Sequence, residues 1–172
     1  MEFLPALLAI LIIVTAMLWV LVPAIYGLPP VSAKRERIRK ALELANLQSG
    51  EQFYDLGSGH GRALIMAARD FGAQAVGIEI GPVQCAISRV NAIWNGVNSR
   101  VRIEAGNFYR ADLGRADVIF AYLTSKYAIR LQEKFERELK SGARVVTVSF
   151  DLPGWQPAFF DRENLLFLYE KK

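Results

Sequence analysis

The segment Gln52-Phe53-Tyr54-Asp55-Leu56-Gly57-Ser58-Gly59-His60-Gly61-Arg62 constrains this chain more than any other part of it. A run of strand length is followed by glycines at alternate positions, and then a helical pattern begins. Glycine reaches backbone conformations closed to other residues. It also lets N–H groups approach a ligand where the next helix offers unpaired donors and a favourable dipole. A strand, a glycine turn and a helix open a parallel sheet, and ligands of such sheets bind beyond the carboxyl ends of the strands. The remaining pattern agrees: strands are expected at 52–56, 75–80, 101–104, 118–123 and 144–150, with helices at 61–71, 82–95 and 125–140. A turn cluster at 152–157 and apolar stretches at 158–160 and 165–169 predict a closing antiparallel hairpin, for seven strands in a mostly parallel sheet.

The glycine spacing narrows the ligand. Dinucleotide-binding folds use G-x-G-x-x-G, and the position of its third glycine is held here by Arg62. No G-x-x-x-x-G-K-[ST] is present, which removes the phosphate loop of nucleoside triphosphatases. With one cysteine, Cys85, and one histidine, His60, neither a disulfide framework nor a zinc cluster can be built, so metal-free chemistry is expected. A length of 172 residues suits one catalytic domain. The net charge of +4 does not itself identify a partner, and no nucleic acid is expected.

From 3 to 25 the chain carries no Asp, Glu, Lys or Arg, and a helix of that length covers about 30 Å of hydrocarbon. A transmembrane anchor is the expectation. A cleavable signal peptide is the alternative, but its basic start is missing and the run is too long for a signal core. Trp19 and Tyr26 lie near one end, where amphipathic rings favour the interface. Five basic side chains in 34–40, against none before the span, predict a single-pass protein of the cell membrane with a cytoplasmic domain. The same basic run is a candidate for anionic headgroups, or equally a solvated helix face. Ser32 is the expected N-cap of a helix running to about 47. The organisation is then an anchor at 1–26, a linker and basic helix at 27–50, and the catalytic domain at 51–172.

The string Asp55-Leu56-Gly57-Ser58-Gly59-His60-Gly61, D-x-G-x-G-x-G, resembles the first motif of class I methyltransferases that use S-adenosylmethionine (SAM). Glu79 ends the second strand, where such enzymes place an acid for the ribose hydroxyls. Gly106-Asn107-Phe108 follows the third, where they carry an acid or amide near adenine; Asn107 departs from aspartate but keeps the bonding capacity. The resemblance implies a Rossmann-like fold and a cofactor site of Asp55, Gly57, Ser58, Gly59, Gly61, Glu79, Asn107 and Phe108. Segments 28–45, 108–113, 116–123, 131–139, 143–150 and Pro153-Gly154-Trp155-Gln156-Pro157 are similar to a family of anchored lysine methyltransferases. Its mitochondrial members modify a component of ATP synthase and the adenine nucleotide translocase. That likeness implies a protein substrate with an accessible lysine, itself membrane-associated.

Methyl transfer from a sulfonium is an in-line displacement with a neutral leaving group, so alignment and exclusion of water matter more than acid catalysis. A lysine of ordinary pKa is about 99.9% protonated at pH 7, and an apolar channel beside a cation lowers that pKa. Tyr122, Phe150 and Trp155 are the candidate channel walls, with core packing as the alternative for each. Asp151 is the candidate proton acceptor, with a turn or cap role as its alternative. His60 is expected to pack or hydrogen-bond locally, and Cys85 to sit in the core. Two other functions fit the same pocket: methylation of a lipid, quinone or other small molecule, and a non-catalytic SAM-binding scaffold.

Overall fold

Val, Ile, Phe and Ala dominate the central segments, and such runs form strands when both faces can be covered. The computed structural model describes residues 3–25 and 33–172, without the side chains of 20–25. Seven strands form one sheet: β1 (Gln52–Leu56), β2 (Gln74–Glu79), β3 (Val101–Ala105), β4 (Val118–Ala121), β5 (Arg144–Val148), β6 (Phe159–Asp161) and β7 (Leu166–Glu170). Their order is β3-β2-β1-β4-β5-β7-β6. The pairs β3/β2, β2/β1, β1/β4 and β4/β5 are parallel, whereas β7 runs antiparallel to both β5 and β6. The order reverses between β1 and β4, so the loops after these two strands flank the crevice where ligands of such sheets bind.

The helices are α1 (Phe3–Ile25), α2 (Arg35–Leu44), α3 (Arg62–Asp70), α4 (Pro82–Trp94) and α5 (Ala128–Glu138). The core has two halves, one on each face of the sheet. On one, Ile38, Ala41 and Leu42 of α2 and Leu64 and Ala67 of α3 pack against Phe53, Phe120 and Val146. On the other, Leu131 and Phe135 of α5 pack against Leu56, Ile119 and Tyr169.

Several expected boundaries move, each for a local reason. Helix α2 starts after Lys34 with no side-chain cap and ends at Leu44, because Asn46 turns to φ 48° and the Leu47 N–H bonds Leu42 O. The expected cap, Ser32, lies outside the described residues. The helix expected at 125–140 divides into a 3-10 turn, Ser125–Tyr127, and α5. Strand β4 stops at Ala121, leaving Tyr122 and Leu123 beyond its ladder, and β5 stops at Val148 because Ser149 adopts φ 65°.

Helix α1 is 23 residues long and its large side chains from Phe3 to Leu18 are exposed. Among the described residues no helix is long and apolar enough to cross a membrane, so the expected transmembrane span is not borne out by them.

Arg144 ties α2 to the sheet: its guanidinium donates to Ala45 O at 2.6 Å and Asn46 O at 2.9 Å and pairs with Glu51. Arg144→Ala strips a charged donor from these half-buried groups and is expected to lower stability by about 2 kcal/mol, read from chemical denaturation. An unchanged midpoint would show that α2 is held by its apolar face alone.

Candidate active site

The first glycine turn is fastened to the neighbouring strand before any ligand is considered. Gly57 N and Ser58 N both donate to Ile78 O, at 2.9 and 3.2 Å. Gly57, Gly59 and Gly61 take φ of 81°, 53° and 79°, a region where a side chain is strained. A Cβ on Gly57 would also stand 3.3 Å from Leu123 Cδ2, and one on Gly61 would run into Ser88 Oγ. Glu79, at the end of β2 and buried, holds a different loop with each oxygen: Oε2 accepts Gly59 N–H of the glycine loop at 2.8 Å, and Oε1 accepts Gly81 N–H just before α4 at 2.7 Å.

Asp55 lies one strand over and is 5% exposed. Among the described residues no hydrogen-bond donor reaches its carboxylate. Burial, and secondarily the negative charge of Glu79, push its pKa up to about 8. A carboxyl in that condition is a vacancy for positive charge, because a cation beside it would replace the missing solvation.

Two clefts meet at Gly57. The first, about 340 Å³, is bounded by Ile78 and Ile80 on one side and by Asn107, Phe108, Tyr109 and Tyr127 on the other. Phe108 packs against Tyr109 and edge-on to Tyr127, at 4.7 and 5.8 Å between centroids. Asn107 lines the same cleft, and its Oδ1 accepts Tyr109 N–H at 2.9 Å. An apolar slot with aromatic walls and one amide suits a purine. The second cleft, about 450 Å³, is lined by Asp55, Ser58, Gly59 and Tyr122, with Ala33 and Ile38 closing it from before and within α2. Ser58 Oγ is buried in its wall and has no hydrogen-bond partner among the described residues. Together the clefts fit an elongated molecule with a purine at one end and cationic, polar groups at the other, which are the features of SAM.

Six of the eight expected cofactor residues line these two clefts; Gly61, at the start of α3, and Glu79, which accepts the Gly59 N–H, line neither. The four expected substrate residues do not come together. Tyr122 lines the second cleft, and Arg37 Nη1 donates to its hydroxyl at 3.5 Å. Phe150 is 3% exposed in the α5 half of the core, on the other face of the sheet, because the left-handed turn at Ser149 folds it inward. Asp151 is exposed. Trp155 lies against α5: its indole N–H donates to Glu136 at 2.9 Å and its ring stacks edge-on with Tyr169. Of the proposed channel aromatics, only Tyr122 borders the loop.

Unforeseen contributors are Ile80, Tyr109 and Tyr127 in the first cleft and α2 in the second. The apolar spacing Ile38, Ala41, Leu42 signalled a packed helix, but nothing in it located the cleft. Part of the basic run meets other residues, Arg37 at Tyr122 and Arg39 at Asp70, with Lys40 4.0 Å from Glu163 at the surface, while Lys34 and Arg35 are exposed. His60 meets Trp19 of α1 edge-on at 5.2 Å, and its carbonyl accepts from Asn91. Cys85 is buried, with its thiol directed to Glu79 O at 3.4 Å.

The chain is similar to known proteins. Residues 55–159 match the family model of the ANTKMT methyltransferase domain. A protein-lysine N-methyltransferase of Saccharolobus islandicus (strain REY15A) is 38% identical over 130 residues, 75% of this chain and 81% of that protein. The adenine nucleotide translocase lysine N-methyltransferase of Mus musculus is 31% identical over 79% of this chain, which spans only 59% of that enzyme's length. Among solved structures, an RNA methyltransferase from Salinibacter ruber in complex with S-adenosyl-L-homocysteine superposes with a TM-score of 0.77 at 35% identity. The match covers 82% of this chain and 92% of that one.

Asp55 also gives a pH signature. Unfolded, it titrates near 3.8; folded, near 8. Between those values the fold keeps a proton the unfolded chain has released, so the contribution of Asp55 to stability falls as pH rises from about 4 to about 8 and is flat above. Thermal melts of cofactor-free protein should show this decline, and Asp55→Asn should flatten it. An identical slope in the variant would mean that Asp55 is already ionised in the fold.

Proposed function

The chain belongs to the ANTKMT methyltransferase domain family and uses SAM, and on that premise we propose that it methylates the side-chain amine of lysine in a membrane-associated protein. The observation that carries the reading is the junction at Gly57 of an aromatic slot with a cleft floored by the unpartnered Asp55. The lysine assignment draws support from the 38% identity to the Saccharolobus protein-lysine N-methyltransferase, of which the match covers 81%.

Bound SAM supplies an electrophilic methyl group on a cationic sulfur. Asp55 would attract its positive end, and Asn107 with the Phe108 and Tyr109 walls would hold the adenine. Glu79 keeps lone pairs for hydroxyl donors while it holds the two loops through Gly59 and Gly81. Tyr122 lines the same cleft as Asp55 and offers an aromatic face and a hydroxyl to the incoming amine. Phe150 and Trp155 support the sheet and α5 in this reading, and Asp151, out in solvent, leaves proton acceptance to water.

We place the protein at a membrane, held by α1. The helix has 23 residues, no acid in its first turn and no base in its last, and its exposed surface is apolar over more than four turns. Counting the sequence of 20–25, the uncharged run reaches the length a bilayer requires. The positive charge after it favours a cytoplasmic domain. A tethered site meets targets in its own bilayer at raised effective concentration.

The test is incubation of the purified protein with radiolabelled SAM and membranes from a strain lacking it, followed by separation of protein, lipid and RNA. Label on protein lysines is expected. Label in lipid alone would favour the small-molecule reading, label in RNA the activity of the Salinibacter relative, and saturable SAM binding without label a scaffold. Gly57→Arg should abolish labelling while the far-ultraviolet circular dichroism is retained. Tyr122→Ala should lower turnover on the order of tenfold or more with SAM affinity nearly unchanged, measured by single-turnover kinetics and calorimetry. Equal losses in both would place Tyr122 in the cofactor pocket instead.

A further inference from the structure

Helix α4 is built inside out for a helix facing water. Its inward side chains include Gln84, Cys85, Ser88 and Ala92, polar or small, whereas Val90, Ile93 and Trp94 point outward and are 56%, 65% and 86% exposed. A helix on a water-facing surface carries the opposite distribution. Neighbouring large apolar residues this exposed mark an interaction surface.

The segment that carries the patch has charge of one sign. From residue 80 to residue 103 the chain contains no Asp or Glu and three arginines, Arg89, Arg100 and Arg102. Arg102 pairs with Glu104, but Arg89 and Arg100 reach only backbone carbonyls, of Ile103 and Ala68, and have no acidic partner among the described residues. Apolar side chains flanked by unneutralised arginines, with a tryptophan among them, suit the boundary between acyl chains and anionic headgroups.

The patch is also next to α1. Gln84, in the first turn of α4, donates from Nε2 to Trp19 O at 3.2 Å, and Trp19 in turn touches His60 of the glycine loop. Where α1 enters a bilayer, the start of α4 is held at its surface.

We propose that α4 is a second membrane contact, lying in the interface of an anionic bilayer with Val90, Ile93 and Trp94 immersed and Arg89 and Arg100 at the headgroups. The inference rests on the membrane placement proposed above and adds an orientation to it. Because α4 begins three residues after Glu79, a helix lying along the interface brings the rim of the cofactor clefts to the bilayer surface, so the substrate class is lysines within a side chain's reach of that surface.

The experiment uses the full chain in a Cys85→Ser background, with a nitroxide attached in turn to Val90→Cys, Ile93→Cys, Trp94→Cys and, as anchor reference, Ile12→Cys. Collisions with oxygen, which concentrates in lipid, and with a water-soluble nickel chelate are compared in vesicles of phosphatidylcholine and phosphatidylglycerol. The expected result is a raised oxygen-to-chelate ratio at 90, 93 and 94 as well as at 12. A raised ratio at 12 with chelate-accessible labels on α4 would overturn the inference and leave the anchor standing. Water-like ratios at all four positions would overturn both. Labels on α4 shielded from both reagents without vesicles, with a doubled mass in sedimentation, would assign the face to a second copy, and shielding only on adding RNA would assign it to nucleic acid; either rejects the bilayer.

Discussion

Glu79 and Asp55 sit at the ends of adjacent parallel strands, and the site depends on their unequal fates. Glu79 spends its charge on two backbone N–H groups, one in the glycine turn and one at the start of α4, so a single carboxylate sets both loops at the crevice. Asp55 receives no such donors. Its burial, reinforced by the charge of its neighbour, keeps a proton on it. One acid is structural and already satisfied; the other is satisfied only by a cation brought from outside. This difference explains why a three-glycine turn, which alone could cradle many anions, is here paired with a demand for positive charge.

The rest of the fold follows from keeping that junction in place. Parallel strands covered on both faces bring β1, β2 and β4 to one rim, and the reversal of order between β1 and β4 opens the crevice there. Ladder and core residues fix the heights of Asp55 and Glu79 to within a side chain's reach of the loop. Helix α2 then closes the second cleft from above, held by its apolar face and by Arg144 from the base of the sheet.

Much of this was legible in the sequence because it is local. The glycine spacing, Glu79 at a strand end and Asn107 after the next strand each lie within a few residues of the element that positions them, and all seven strands follow from short apolar runs between turn signals. What was not legible depends on chain reversals. Phe150 and Trp155 follow β5 in sequence and so seem to belong beside Tyr122, but one left-handed residue, Ser149, sends the chain to the opposite face of the sheet. Likewise nothing local in the basic run 34–40 shows that Arg37 and Arg39 reach Tyr122 and Asp70, partners far away in sequence, while Lys34 and Arg35 stay exposed. The outward apolar face of α4 escaped for the converse reason: its residues look like an ordinary core pattern, and only the tertiary structure shows that they face away from the core.

Calorimetry of SAM binding at pH 7 in buffers of different ionisation enthalpy asks whether the cofactor's positive charge ionises Asp55. The expected result is release of about one proton per SAM bound, lost in Asp55→Asn. Binding with no proton released, or with release unchanged in the variant, would contradict it.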